Sequence, residues 1–330
     1  ATSITGFQAD VPTTKAAVQK LLSSDKYLKA SNYQVESHLA HQVKGLTPTQ
    51  AVEMFIKADK DNSAVALGLL KNHLRAHPEN TLAVAKQIDS FKKSPGDDDT
   101  IPFLWASIAA AGHSEAQQVL LNVITKPGWS HYSMRSALKS LIGVEMPEQF
   151  LADGVWKFRE TLTKNSAKTM FTRSIATNMY GVMGDVQKGS AEMTAEISQR
   201  LIKHLQNTDN VREQIFMLEA LSNVGDFDSI YTAVLPYFKS KNVKIRVAAF
   251  DTFRRMPGNK AFEAFSSLYA EEQSIAVHRR AVRIAHSMQP SDARNFWAGQ
   301  LVDKERDLET LEIAILILGD DIEHYPKNRV

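Results

Sequence analysis

Histidines at helical spacing are the first residues in the chain that could take part in site chemistry. His73 and His77 are four residues apart, the spacing by which a helix presents two imidazoles to a zinc ion. Leu74, however, stands where a zinc protease would carry its catalytic glutamate, and Pro78 predicts that the helix ends at His77. We therefore interpret this pair as imidazoles near the last carbonyls of a helix.

Two other histidine pairs have helical spacing but no third ligand. His38 and His41 are three residues apart beside Glu36, and His278 and His286 lie about two helical turns apart. A zinc site needs at least three protein ligands in defined geometry, so we interpret both pairs as surface or packing histidines.

Two acidic segments match only part of a cation site. Asp59–Ser63 begins like a calcium-binding loop, but Ala64 stands where that loop needs glycine and Leu70 where it needs glutamate. The run Asp97–Asp99 could attract a cation, yet acidic residues also suit the loop before a helix. The sequence therefore predicts no metal site and no cofactor.

Motifs for catalysis are also missing from the sequence. It contains no G-x-x-x-x-G-K-[ST], G-x-G-x-x-G or G-x-S-x-G segment, and it contains no cysteine. Thiol catalysis, disulfides and iron–sulfur clusters are thereby excluded. We predict that the chain is not an enzyme; an enzyme whose site escapes sequence reasoning is kept as a second alternative.

Basic residues are concentrated in one part of a chain that is otherwise balanced in charge. The formal net charge is only +2, which disfavours a polycationic nucleic-acid binder, but residues 239–294 carry 11 basic and 5 acidic side chains. We consider two interpretations, a patch for an anionic partner or lipid headgroups and a solvated outer face. The patch would comprise Lys239, Lys241, Lys244, Arg246, Arg254, Arg255, Arg279, Arg280 and Arg283.

The segments that must position these residues are predicted to be helices. Apolar residues recur at intervals of three and four, and Thr47, Pro48 and Gln50 form the signature of a capped helix start. No strand alternation is evident. Helices are predicted near residues 63–76, 80–92, 100–111, 114–125, 131–142, 148–163, 167–183 and 191–206.

The C-terminal third repeats with a period of 32 residues. The windows Val211–Gly225, Val243–Pro257 and Ile275–Gln289 align, and short second helices are predicted at 227–238, 260–269 and 292–301. We expect the aligned apolar positions to be buried: Val211, Val243 and Ile275; Met217, Ala249 and Ala281; Leu221, Phe253 and Ala285; Val224, Met256 and Met288. The pattern predicts an all-α fold, an α-solenoid of stacked antiparallel helix pairs.

Within these helices, several segments resemble a known family. Leu218–Asp226 resembles the "L-K-A-L-G-N-A-G-H" segment of the large lipid transfer proteins, the vitellogenin family. Ile245–Phe250 and Ala276–Ala281 are similar to that family's "l-R-x-A-A" and "e-v-R-x-A-A" helices, and Ile108–His113 is similar to its earlier "A-G-T" turn. The resemblance covers roughly residues 45–300 and implies the superhelical domain of that family, with HEAT-like repeats.

The resemblance implies a non-enzymatic binding or scaffold module of a lipid transport protein, in a secreted or periplasmic assembly. Its partner would be a protein or the rest of a parent chain, with lipid or an anionic surface as a further ligand. The chain opens at Ala1 without methionine, which predicts a processed form or a fragment. The alternative is a HEAT-like adaptor that binds protein without lipid. A cytoplasmic location stays open beside the secreted or periplasmic one.

We divide the chain into an N-terminal arm with the first helices, 1–45, the solenoid, 46–320, and a tail, 321–330. No apolar run reaches the ~20 residues of a membrane span. Neither nucleic acid nor a transmembrane segment is expected.

Overall fold

The structure is a computed structural model that describes residues 47, 49–50, 52, 63–91, 100–162, 166–288, 293–302 and 308–324. Its contacts divide the chain into two compact units, Ala1–Thr161 and Leu162–Val330. The predicted boundary between residues 45 and 46 lies outside the described residues, and the one between residues 320 and 321 falls within the helix Leu308–His324. The division of the chain into arm, solenoid and tail stays a prediction.

Six helices of the first unit form two layers. The odd-numbered helices α1, α3 and α5 pack side by side in one layer, and the even-numbered helices α2, α4 and α6 pack beside them in the other. The bounds are α1 Ser63–Ala76, α2 Thr81–Ser90, α3 Thr100–Ala111, α4 Ser114–Thr125, α5 His131–Ser140 and α6 Gln149–Thr161.

Nine helices of the second unit follow the same plan. One layer consists of α7, α9, α11, α13 and α15, each in contact with the next, and the even-numbered helices pack against them. The bounds are α7 Ala167–Met183, α8 Ala191–Gln206, α9 Val211–Leu221, α10 Phe227–Phe238, α11 Val243–Asp251, α12 Asn259–Glu271, α13 Ile275–Met288, α14 Ala293–Val302 and α15 Leu308–His324.

The predicted fold class is confirmed within the described residues. They contain α-helices and short 3₁₀ turns, among them Thr252–Arg255, and no strand. Consecutive helices pair, and the pairs stack on one another, as an α-solenoid requires. No helix of the described ranges combines the length and the apolar character needed to cross a membrane.

Helix starts follow the polar residues that the sequence offers as caps. The Thr47 hydroxyl accepts a hydrogen bond from the Gln50 backbone N–H at 3.2 Å, and the Gln50 side chain accepts one from the Thr47 N–H at 2.9 Å. This reciprocal pair satisfies two N–H groups that a helix start would otherwise leave unbonded. Asn210 and Asn242, 32 residues apart, cap α9 and α11 through side-chain oxygens that accept hydrogen bonds from backbone N–H groups of the first helical turn.

The repeat register is confirmed at three of its four aligned positions. The core buries the second set, which consists of Met217, Ala249 and Ala281. It also buries the third and fourth sets of aligned positions. The first set corrects the prediction, because the side chains of Val211 and Val243 are 38% exposed and that of Ile275 is 59% exposed. The reason is positional: each is the first residue of its helix, where the chain enters from a surface turn and the neighbouring helix does not cover it.

Two features hold the repeats of the second unit close together. Aromatic rings of neighbouring helices pack edge to face, with the centroids of Phe238 and Phe250 5.1 Å apart and those of Phe250 and Phe265 5.7 Å apart. Gly181 of α7 lies against the backbone of α9, where a Cβ atom would stand 2.2 Å from the carbonyl oxygen of Ala220. The absence of a side chain at Gly181 therefore permits the close approach of these two helices.

Candidate functional site

Three predicted site residues form a compact cationic cluster at the turn between α10 and α11. Lys239, Lys241 and Lys244 are exposed, and in the part of the chain that the structure describes no ion pair or hydrogen bond engages their ammonium groups. We call these three residues the lysine turn. Their charges are available to an anionic partner because nothing in the described chain neutralises them by contact.

Arg246, one turn into α11, is already engaged. Its Nε and Nη2 atoms donate to the two carboxylate oxygens of Glu272, at 2.8 and 3.1 Å, and its Nη1 atom donates to the Ser240 carbonyl at 2.8 Å. Burial by itself would raise the pKa of Glu272, but the Arg246 hydrogen bonds and two backbone N–H groups outweigh it and lower that pKa. Arg246 thus fixes the geometry of the α10–α11 turn from within.

A cleft of about 280 Å³ opens beside the lysine turn. Phe238, Phe250 and Leu268 form its apolar walls, and the Arg246–Glu272 pair and Lys239 supply three of its four charged groups. We call this space the aromatic cleft. It joins apolar walls to a few placed polar groups, the composition that ligand sites share. The remaining lining residues are Ser240, Glu271 and Gln273.

Arg254 and Arg280 lie in a separate polar cluster between α9, α11 and α13. Arg280 Nε donates to Asp251 Oδ1 at 2.5 Å, and Arg254 Nη2 donates to Asn223 Oδ1 at 2.6 Å and Ser222 Oγ at 3.1 Å. Burial raises the pKa of Asp251 and lowers that of Arg254, because desolvation disfavours the charged form of either group.

Arg255, Arg279 and Arg283 are exposed but have contacts within the chain. Arg255 pairs with the buried carboxylate of Asp185, which also accepts the Gln187 backbone N–H. Arg279 and Arg283 both take part in interactions with other residues of the chain. The nine predicted cations therefore do not form one patch: the lysine turn and Arg246 lie together beside the aromatic cleft, and the other five serve other contacts.

His73 and His77 make contacts of a structural kind with residues near them in the chain. The His73 ring is buried, with its Nε2 atom 3.3 Å from the Asn80 amide, and His77 Nδ1 lies 3.1 Å from Glu79 Oε1. Among the described residues no three potential ligands converge on a point that could hold a metal ion.

The other histidine and acidic candidates lie largely outside the description. His38, His41, Asp59–Asn62 and Asp97–Asp99 fall outside the described residues, as does the side chain of His286.

Sequence reasoning missed the aromatic cleft and the role of Arg246. One available signal was the alignment of Arg246 with Gln214, because the two positions differ by the repeat period. Gln214 Nε2 donates to the Thr208 carbonyl at 2.8 Å, the same contact, six residues back, that Arg246 makes with Ser240. A polar side chain at this position thus closes the turn before its helix in both repeats.

Stacked pairs of antiparallel helices with a surface of exposed turns define a helical-repeat protein. The family model described as the Vitellogenin TPR domain matches residues 47–289, well over half of the chain. The chain therefore belongs to the vitellogenin family, through the helical domain of that family, and the predicted resemblance is confirmed.

Two further comparisons add little to this assignment. No curated protein matches the chain significantly. Among solved structures, the chain is similar to a crystal structure of an engineered protein, with 14% identity, covering 92% of this chain and 98% of that chain at a TM-score of 0.28. A score this low carries no argument, so the fold rests on the observed helices and the family on its matched model.

Proposed function

We propose that the chain is a non-enzymatic binding and scaffold module of the lipid-transport type, which meets an anionic partner at the lysine turn. The observation that carries this proposal is the lysine turn itself, three exposed ammonium groups that no described side chain pairs with, on a member of the vitellogenin family. Repeat folds of stacked helices present extended surfaces for binding, which suits a scaffold within a secreted or periplasmic assembly.

A charge-reversal experiment tests the proposal. The variant Lys239→Glu/Lys241→Glu/Lys244→Glu changes only exposed side chains, so we expect its helical signal to match that of the parent. The matched control Lys126→Glu/Lys139→Glu/Lys157→Glu reverses three other exposed lysines and changes the net charge equally. The probes are polyglutamate and vesicles of anionic or neutral lipid, at low and high salt.

The parent and the control variant should bind polyglutamate or anionic vesicles, and the lysine-turn variant should not. Binding should weaken with salt, because the Debye length is only about 8 Å at physiological ionic strength. Equal binding by both variants, or no binding to any probe, would contradict the proposal. Extraction of the purified chain followed by mass spectrometry shows separately whether it carries lipid.

A further inference from the structure

Three exposed apolar side chains recur at one position of the repeat. Val211, Val243 and Ile275 are the first residues of α9, α11 and α13, and they are spaced by 32 residues. Because these helices pack side by side, their first residues follow one another along one edge of the layer. We call these three residues the apolar edge. Asn210 and Asn242 already cap α9 and α11, so Val211 and Val243 have no capping role, and the exposed apolar side chains in register offer a partner a row of apolar contacts.

Positive charge along the apolar edge is concentrated in the turn next to Val243. The turn before α9 carries Asp209 and Arg212, and the residues around Ile275 include Glu271 and Arg279, so each outer turn offers both signs. The middle turn carries the three cations of the lysine turn and no exposed acid. Two carboxylates line the adjoining cleft: Glu272 is paired with Arg246, and Glu271 is a single exposed acid at the end of α12 beside the three lysines. A segment laid along the apolar edge would therefore meet a positive centre.

The aromatic cleft adds a concave site next to that centre. It lies between the ends of α10 and α12 and the α11 residues Arg246 and Phe250, with Lys239 on its lining. At about 280 Å³ it is at the small end for a whole organic ligand and suits one bulky apolar side chain. Interfaces commonly derive most of their affinity from one such anchor in a pocket.

We propose that the apolar edge, the lysine turn and the aromatic cleft together bind an extended acidic segment of a protein partner. One bulky apolar side chain of that segment sits in the cleft, and its carboxylates face Lys239, Lys241 and Lys244. This inference rests on the proposed function and names the class of its anionic partner.

The geometry favours such a segment over a lipid surface. The apolar edge consists of two valines and one isoleucine, whereas membrane-inserting surfaces carry protruding tryptophan, phenylalanine or leucine. A concave cleft between helices serves a defined side chain, whereas a fluid bilayer would leave it unfilled. A peptide in extended conformation can span the turns and fill the cleft at once.

The test uses the full chain and two fluorescein-labelled probes measured by fluorescence anisotropy. The first probe is a short peptide of aspartate and glutamate with one central phenylalanine, and the second has alanine in place of the phenylalanine. The phenylalanine probe should bind at least about tenfold more tightly, since burial of a phenylalanine side chain contributes on that scale. The lysine-turn variant should weaken both probes about tenfold, and the control variant should leave them unchanged.

A second variant isolates the cleft from the charges. Leu268→Gln keeps the side-chain length at a half-buried wall position, so the fold tolerates it, but it makes the wall polar. In this variant the advantage of the phenylalanine probe should shrink to about twofold or less, while the salt dependence of the alanine probe stays as in the parent.

The outcomes separate this inference from the proposed function. If polyglutamate or anionic vesicles bind through the lysine turn but phenylalanine gives no advantage, the peptide inference is wrong and the proposed function stands. If the phenylalanine probe binds equally well to the lysine-turn variant, the placement of the site is wrong. Loss of all binding to anionic probes by the parent would overturn both.

Discussion

Arg246 and Gln214 occupy the same position of the repeat and make the same hydrogen bond to the backbone of the preceding turn, but Arg246 has a second contact of its own. Both close the preceding turn through a carbonyl six residues back, but only Arg246 reaches across to a carboxylate, that of Glu272 on the next turn. The Glu272 side chain is 5% exposed, so its charge depends on this partner. The arginine therefore couples the two turns that border the aromatic cleft.

The substitution Arg246→Gln tests this coupling. Glutamine suffices for the backbone contact at position 214, but it leaves Glu272 as a buried carboxylate without its ion pair. We expect a loss of roughly 2–3 kcal/mol in the free energy of unfolding, measured by urea denaturation. The double variant Arg246→Gln/Glu272→Gln should recover more than half of the loss, and a single variant as stable as the parent would contradict the coupling.

The same pair gives the parent a defined dependence on acid. Because the pKa of Glu272 is lowered in the folded state, its contribution is present above the unfolded glutamate pKa of about 4.3 and is lost as the pH falls. In Arg246→Gln the contacts of the guanidinium that lower this pKa are removed, and only the two backbone N–H groups still lower it. Its stability should therefore fall less steeply with acid than that of the parent over the same range.

The pKa of Glu219 is shifted in the opposite direction, upward. Burial raises its pKa, and the Asn178 amide, 3.4 Å from Glu219 Oε2, opposes the shift only in part. The ionised form is thus disfavoured in the folded chain, so the contribution of Glu219 is fully present below about pH 4 and is lost as the pH rises. Glu219→Gln should be more stable than the parent at pH 7, by less than about 1 kcal/mol, and equal to it in acid. Thermal melts at both pH values check this, and a less stable variant at pH 7 would reverse the assigned sign.

The arginine partners could not be predicted from the sequence, whereas the cluster of lysines could. Counting charges places the nine predicted site residues in one block of the sequence. Arg255, however, pairs with Asp185, 70 residues earlier, and Arg246 pairs with Glu272, 26 residues later. Such pairs depend on which helix faces meet, and periodicity gives the buried face of a helix but not the rotation of its neighbour. The lysine turn was accessible because its residues are adjacent in sequence.

At the scale of the helices, the boundaries were largely predictable. The predicted ranges 63–76, 100–111, 114–125, 167–183 and 191–206 coincide with α1, α3, α4, α7 and α8. Side-chain caps explain part of this success, since Ser166 and Ser190 accept backbone hydrogen bonds at the starts of α7 and α8. The exposure of Val243 was not predictable, because the apolar period continues to the first residue of the helix and carries no sign of where the neighbouring helix ends.

Two glycines on helices provide a matched test of stacking. Gly181→Ala would place a Cβ atom 2.2 Å from the Ala220 carbonyl oxygen and force α7 and α9 apart. We expect a loss of about 1–3 kcal/mol, as overpacking of a close contact typically costs. In Gly299→Ala nothing lies within 4 Å of the added atom, so helix propensity should stabilise this variant by up to about 1 kcal/mol. Urea denaturation of both checks the contrast, and a neutral Gly181→Ala would show that the helices are not in close contact.

At the scale of the whole molecule, charge and fold make separate contributions to the proposed binding of an anionic partner. The net charge of +2 gives no general attraction to anions, so the anion binding we propose depends on where the lysine turn lies rather than on the total. The helical fold leaves these turns along an edge of its layers, which brings sequence-distant residues into one surface while each repeat keeps its own core.

The whole chain should give a far-ultraviolet circular dichroism spectrum dominated by helix. The described residues contain no strand, and the periodicity of the sequence is helical nearly throughout. A strand content above about a fifth, the average of globular proteins, would contradict the fold assignment. The lysine-turn variant should give the same spectrum, which makes the measurement a control for the binding experiments as well.

The packing of each described odd-numbered helix on the odd-numbered helices next to it within its unit has a consequence for the kinetics of folding. In the second unit each pair finds its partners within about one repeat of 32 residues, so most contacts are local in sequence. Low contact order speeds folding, and in repeat arrays a structured pair can serve as a template for the next. At a synthesis rate of about 5–20 residues per second, a new pair would leave the ribosome every few seconds and could dock before the following one appears. Assembly during translation should therefore proceed pair by pair, with little need to wait for distant segments.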